Sequence, residues 1–424
     1  MTLKPSAKLS GEETDARSRL AGVHHTVNDA KSGPSVAGAH RPESRPVRVL
    51  HVHSGNLFGG IETYLRNIAR YRAYAPSLEM EYAVCFDGQI ARDLRDLGAI
   101  VHVLGPVRIR SLPSLVRGRR ALARALRTRR YDVVVCHSAW SHVIFAPVVR
   151  KSAARLLHHM HDIPNPVGWL ERWAGLTPPA LVLCYHNFTK VSGHWLFPHV
   201  PRCMVAPPSG VSATCQRIKR HAVRTEWRVE RNSVVILHAS RMQRWKGHSL
   251  LLEALALLRD NARWVCWIAG GPQRPTEVPY QKGLEELAGR LGVSERVQFL
   301  GQRDDVPALM QAADIYCQPN TSPEPFGQAF VEALTAGLPV VTTNMGGGRE
   351  IIDASCGILV APDAASVAAA LKGLIDGDVR RGLLSMAGRT RAIEISDPQP
   401  RMCEFSKVLS ELRHGQYDHG GITR

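Results

Sequence analysis

The residues best equipped for chemistry lie in the stretch Asn320-Thr-Ser-Pro-Glu324-Pro-Phe326-Gly327-Gln328-Ala-Phe-Val-Glu332-Ala-Leu. Pro325 and Gly327 mark a loop that turns into a helix, and the first N–H groups of a helix lack internal partners and can meet an anion. Glu324 sits just before that helix and Glu332 about two turns into it. Phe330, Val331, Ala333 and Leu334 flank Glu332, and a carboxylate in such a setting requires a hydrogen-bond partner. Neither carboxylate would tolerate direct contact with a diphosphate, but both could accept hydrogen bonds from sugar hydroxyls. For Glu324, simple pairing with the helix dipole is the plainer alternative.

Arg241 and Lys246 stand in Arg241-Met-Gln-Arg-Trp-Lys246-Gly247-His248, directly after the apolar run SVVILHAS. Two cations past a strand end, with a glycine opening the next helix, form a natural cradle for a diphosphate. A solvated basic loop is the alternative. Glycines also separate a strand from a helix in His53-Ser-Gly55-Asn-Leu-Phe-Gly59-Gly60-Ile61-Glu62-Thr63, where the backbone can approach a phosphate or merely turn tightly. Gly55 and Gly60 have Walker-A separation, but Ile61 and Glu62 replace the residues that would grip phosphate and magnesium, and GxGxxG is absent. His161, in His158-His159-Met160-His161-Asp162, follows another strand-like run. The neighbouring histidines suggest a metal, yet no second cluster of ligand spacing accompanies them, and no metal site is expected.

The elements that must position these residues form two series. Strand-like runs occur at VRVLHVHS, EYAVCF, AIVHVL, YDVVVCH, ARLLHHM, ALVLCY and RCMVAP, then at SVVILHAS, RWVCWIAG, RVQFLG, ADIYCQP, LPVVTT and CGILVAP. Helix-period segments intervene, in the second series at 247–260, 280–291, 305–312, 326–337 and 364–376, and the tail from 378 reads as helical. Strands alternating with helices imply parallel, doubly wound sheets. The expected organisation is a disordered tail over 1–45, a first Rossmann-like domain over 46–212, a linker over 213–224, a second such domain over 225–395, and a helical segment over 396–424 that crosses back to the first.

A length of 424 residues with 44% hydrophobic content excludes wholesale disorder. The 9 Cys are scattered without a CxxC pair, as expected of buried apolar residues in a reducing compartment. No apolar stretch reaches the ~18–20 residues of a membrane span, and no signal-peptide region is evident, so a soluble cytoplasmic protein is expected. The formal charge of +17 is lopsided: residues 1–230 hold 33 Lys and Arg against 16 Asp and Glu, and residues 231–424 hold 21 against 21.

Together these residues resemble the family-4 glycosyltransferases of the GT-B fold, an α/β architecture of two Rossmann-like domains facing across a cleft. The likeness covers about residues 47–395 and rests on Gly59-Gly60-x-Glu62, Arg241 with Lys246-Gly247, Glu324-Pro-Phe-Gly with Glu332 eight residues on, Leu338-Pro-Val-Val and Gly346-Gly-Gly-Arg-Glu350. The resemblance implies a retaining, metal-independent hexosyltransferase that uses a nucleotide sugar as substrate and no cofactor. By that analogy Arg241 and Lys246 neutralise the diphosphate, and Glu332 holds the ribose. Glu324 and the N–H groups of Phe326, Gly327 and Gln328 meet the donor sugar, as does His161. Gly59 and Gly60 line the phosphate side from the opposite domain, and base contacts fall near Gln302 and Arg303. The segment Pro207-Pro-Ser209-Gly-Val departs from the family's Pro-Asn-Gly-Val.

The acceptor is expected to be a glycan or a lipid-linked molecule, in cell-surface polysaccharide or glycoconjugate synthesis. Nine Arg between Arg108 and Arg130 read either as an exposed helix or as a contact with anionic membrane at its inner face. Nucleic acid is not expected, because no aromatic stacking platform accompanies the arginines. Two rival readings are a nucleotide-sugar epimerase on the same architecture and a non-enzymatic, basic module binding polyanion or membrane.

Overall fold

The computed structural model describes residues 45–55, 57, 59–210 and 220–416. The expected tail up to 44 therefore lies outside the described residues, but Arg45 does not hang free. Its guanidinium bonds the Asp132 carboxylate at 2.7 and 3.0 Å, and its carbonyl accepts from Arg413.

The first half alternates β1 (Val47–His53), α1 (Gly60–Arg70), β2 (Leu78–Val84), α2 (Gln89–Asp96), β3 (Ile100–Val103), α3 (Leu112–Thr128), β4 (Val133–His137), α4 (Ser138–Val149), β5 (Arg155–His159), α5 (Trp169–Gly175), β6 (Leu181–Cys184), α6 (Asn187–Ser192) and β7 (Arg202–Met204). The second half runs α7 (Arg220–Glu226), β8 (Val234–Ala239), α8 (His248–Ala256), β9 (Trp264–Ala269), α9 (Val278–Arg290), β10 (Val297–Gly301), α10 (Val306–Ala312), β11 (Ile315–Gln318), α11 (Gln328–Ala336), β12 (Val340–Thr343), α12 (Gly348–Ile351), β13 (Gly357–Val360) and α13 (Ala364–Ile375). Two long helices follow, α14 (Asp378–Ser396) and α15 (Pro398–His414). Every expected strand forms. The helix expected over 326–337 is trimmed to α11 because Gly327 and Gly337 take left-handed backbone at its two ends.

Both sheets are parallel throughout, in the orders β3-β2-β1-β4-β5-β6-β7 and β10-β9-β8-β11-β12-β13. The strand order reverses between β1 and β4 and again between β8 and β11, and ligands of open α/β sheets bind at the carboxyl ends beside such reversals. The loops that leave β1, β8 and β11 carry Gly59–Gly60, Arg241–Lys246 and Glu324 respectively. Topology alone therefore aims the expected site residues at one another.

Alternation along the buried strands sorts the first core into two layers. Leu50, Val52, Val134 and Cys136 pack under α3 and α4, whereas Val49, Val133, Val135 and Leu157 face α1 and α15. α15 leaves the second half and settles on the first, where Ser406 Oγ meets Ser77 Oγ at 2.5 Å. Of the expected linker 213–224, residues up to 219 lie outside the described part. Its remainder is helical: Arg220 and Arg224 of α7 both bond the Asp314 carboxylate, which ties this stretch to the second half.

Candidate active site

The two crevices open into one cleft of about 1390 Å³. All ten residues singled out in the sequence line it: Gly59, Gly60, His161, Arg241, Lys246, Glu324, Phe326, Gly327, Gln328 and Glu332. Gln302 and Arg303 line it too, and Arg303 is held by a two-pronged bond to Asp305 at 2.7 and 2.8 Å.

At its centre Lys246 Nζ donates to Glu324 Oε2 at 2.7 Å, and Gln318 and Asn320 donate to the same oxygen at 3.2 and 3.1 Å. The two charges assigned to separate tasks are thus partners within the cleft. Burial pushes the Lys246 ammonium below its ordinary range, and the Glu324 carboxylate opposes that shift. Arg241 lines the same cleft, and its charge opposes the rise that burial imposes on the Asp162 carboxyl. Glu332 accepts from Gln328 Nε2 at 3.2 Å, and burial raises its carboxyl above the usual range.

The glycines play different parts. A side chain on Gly59 would start 3.5 Å from Arg241 Nε, so this loop meets the opposite domain in van der Waals contact. One on Gly60 would meet nothing within 4 Å: the protein itself gives no steric reason for that glycine, and the open space is the cleft. Gly327 is backbone-driven, with φ +102° and Phe330 only 2.5 Å from where its Cβ would stand.

His161 reaches the cleft, yet both its ring nitrogens are engaged inward. Nε2 faces His137 Nδ1 at 2.8 Å and Nδ1 faces the Tyr185 hydroxyl at 2.5 Å. A contact with donor sugar through its ring would break one of these bonds, which modifies the role expected for it. His137 Nε2 continues to His51 Nδ1 at 3.0 Å, and the His159 ring lies tilted against His161 with centroids 4.1 Å apart. Burial keeps this group neutral, with His51 pulled down to about 3 and His137, His159 and His161 well below their ordinary value. Nitrogens of His137, His159 and His161 come within 4.8 Å of one another. His137 and His161 are already bonded to each other, whereas both ring nitrogens of the buried His159 have no hydrogen-bond partner among the described residues.

Sequence reasoning missed three features. His53 and Glu62 form a buried pair at 2.7 Å that locks the end of β1 to the start of α1. Glu350 spans the domains, its carboxylate accepting from the N–H groups of Asn187 and Phe188 at 3.0 and 2.7 Å at the head of α6. Phe326 packs on Tyr185 and His186 with centroids 4.8 and 5.6 Å away. Glu62 and Glu350 stood in quoted motifs, which was the available signal; their partners are remote in sequence.

Two facing Rossmann-like domains thus gather cations, carboxylates and glycines around one cleft. Residues 220–391 match the family described as glycosyl transferases group 1. A D-inositol 3-phosphate glycosyltransferase of Xylanimonas cellulosilytica is 34% identical over 288 residues, 61% of this chain and 67% of that protein. A phosphatidyl-myo-inositol mannosyltransferase of Mycobacterium leprae is 37% identical over 147 residues, 34% of this chain and 37% of that protein. Several such relatives are matched over only 36–48% of their length. Among solved structures, Anabaena HepE in complex with UDP and glucose superposes with a TM-score of 0.75 at 24% identity, covering 86% of this chain and 100% of that one. The chain belongs to the group 1 glycosyl transferases and has the GT-B fold.

Proposed function

We propose that this glycosyltransferase moves a hexose from a nucleotide-sugar donor to an anionic, lipid-linked or glycan acceptor, with retention and without a metal. The observation that carries the reading is the buried Lys246–Glu324 pair in the cleft that Arg241 also lines. When the bond between the anomeric carbon and the diphosphate oxygen breaks, charge grows on the departing diphosphate, and Arg241 and Lys246 stand where they neutralise it. Released from Lys246, Glu324 accepts from donor-sugar hydroxyls, and Glu332 from the ribose. The acceptor oxygen bonds the anomeric carbon through an oxocarbenium-like state as its proton passes to the departing diphosphate oxygen. On the opposite wall Arg66, Arg70 and Arg108 line the cleft and suit an acceptor bearing phosphate. The inositol-phosphate and phosphatidylinositol acceptors in the relatives' names support this class. Synthesis of a surface glycoconjugate at the inner face of the cytoplasmic membrane is the corresponding setting.

Thermal-shift screening against a panel of nucleotide sugars is the direct test, since a ligand at 100 times its Kd stabilises by about 2.7 kcal/mol. One donor class is expected to stabilise, with turnover insensitive to EDTA, anomeric configuration kept in the product, and donor alone recovered unchanged rather than epimerised. An Arg241→Ala/Lys246→Ala double variant that transfers sugar at the full rate would sink the assignment.

A further inference from the structure

Three helices, α3, α4 and α5, lie side by side over one face of the first sheet, α3 against α4 and α4 against α5. They pack inward through Leu122, Phe145 and Ala174. Their outward sides differ. α3 exposes Arg117, Arg120, Arg124 and Arg127. α5 and the segment beside it expose large apolar groups: Trp169, Trp173 and Trp195 are 55%, 57% and 73% accessible, and Leu176 and Val191 are 75% and 71%.

These groups form one patch. Trp169, Trp173 and Leu176 recur at the spacing of a single helical face, and the two indoles meet edge to face at 5.7 Å. The Leu196 carbonyl lies 3.6 Å from where a side chain on Gly175 would begin, so Trp195 borders the end of α5. Single exposed apolar residues need no explanation; a contiguous set does. Tryptophan suits a boundary where its ring meets hydrocarbon and its N–H meets water.

The stretch of chain that carries the patch is strongly basic. Residues 104–204 contain 15 Lys and Arg against 3 Asp and Glu, so this stretch supplies most of the chain's +17. The patch also adjoins the cleft. A side pocket of about 110 Å³ is walled by Leu170 and Glu171 of α5 together with Trp140, His161 and Asp162, which line the main cleft. A surface that seats α5 therefore holds the first domain's side of the cleft against itself.

We propose that the Trp169–Trp173–Trp195 face, with the cations of α3 beyond α4 on the same side of the sheet, seats this protein on an anionic lipid bilayer. The inference deepens the reading of a lipid-linked acceptor, and it places the apolar anchor on α5 rather than on the arginine-rich segment alone. The cations supply an attraction that salt screens, while the indoles supply what salt does not screen.

The full chain is tested on vesicles of phosphatidylcholine with and without 30% phosphatidylglycerol. Sedimentation should show binding to the anionic vesicles, and brominated lipids should quench the native tryptophan fluorescence. Trp169→Ser/Trp173→Ser/Trp195→Ser should lower partitioning at least tenfold and remove most of the quenching. Its nucleotide-sugar thermal shift should stay native, which separates this test from that of the donor site. If the triple variant is poorly folded, bromolipid quenching of the native chain still decides. Absence of binding, absence of quenching, or binding that persists in the triple variant and disappears only in Arg117→Glu/Arg120→Glu/Arg124→Glu would overturn the proposal. So would a solution dimer that the triple substitution dissociates, because the patch would then receive a second copy of the chain.

Discussion

Lys246 and Glu324 carry opposite charges in a site that must handle a diphosphate and a sugar, and their pairing makes each dependent on the other. Lys246→Ala leaves a carboxylate in a half-dry cleft with only two amide donors. Removal of one member of such a pair costs ~3 kcal/mol, and transfer should fall by at least a hundredfold. In Lys246→Ala/Glu324→Gln the orphaned charge is gone, so the melting temperature should recover while activity does not. Recovery of activity alongside stability would show that neither charge is needed for transfer. The glycines divide in the same manner. Gly60→Ala places a methyl in open cleft, so stability should stay within about 1 kcal/mol of native while the KM for donor rises. Gly327→Ala forces an L residue to φ +102° against Phe330, and its cost of ~2 kcal/mol should appear in the melting curve itself. Equal effects of the two substitutions on stability would contradict this division.

At the scale of elements, the domains are fastened by Glu350 from α12, which accepts two backbone bonds at the head of α6, and by Ser209 N–H donating to the Ser396 carbonyl at 2.9 Å, where α14 gives way to α15. Charge-assisted bonds at partly buried N–H groups exceed neutral ones by about twofold. Glu350→Ala should therefore loosen the domains: the radius of gyration from solution scattering increases, and the KM for donor rises more than kcat falls. Unchanged scattering with unchanged KM would remove Glu350 from that role. This clamp also shows where sequence legibility ends. The strands were readable because β-branched runs such as VVVCH and VVILHA are buried on both faces, and the glycine loop, the basic loop and the paired glutamates were readable because each sits at the end of such a run. Lateral partners were not. His51, His137 and His159 come from three strands that become neighbours only through the order β1-β4-β5, and Glu350 meets residues about 160 positions away. Periodicity specifies which face a side chain takes; it is silent on which strand lies beside it.

The whole molecule inherits a pH dependence from its buried imidazoles. His51, His137, His142, His158, His159 and His161 of the first domain all have their pKa lowered by burial, His51 to about 3 and His142 to about 4. In the second domain His238 and His248 are lowered for the same reason, with His248 at about 4. An unfolded chain takes up these protons near pH 6.5, whereas the folded chain refuses them until far lower. Between those values the unfolded state binds more protons, so stability is complete above about pH 7 and falls as pH drops through 6.5 towards 3 to 4. At pH 5.5 each such histidine costs about 1.4 kcal/mol. Six of the eight lie in the first domain, so that domain should lose stability faster than the second. Calorimetry at pH 7.5 and 5.5 should show the melting temperature falling by at least ~10 °C, with the transition broadening or splitting as the first domain unfolds ahead of the second. A melting temperature flat across that interval would mean that the stack carries protons in the folded state, and the neutral hydrogen-bonded arrangement around His137 and His161 would have to be abandoned.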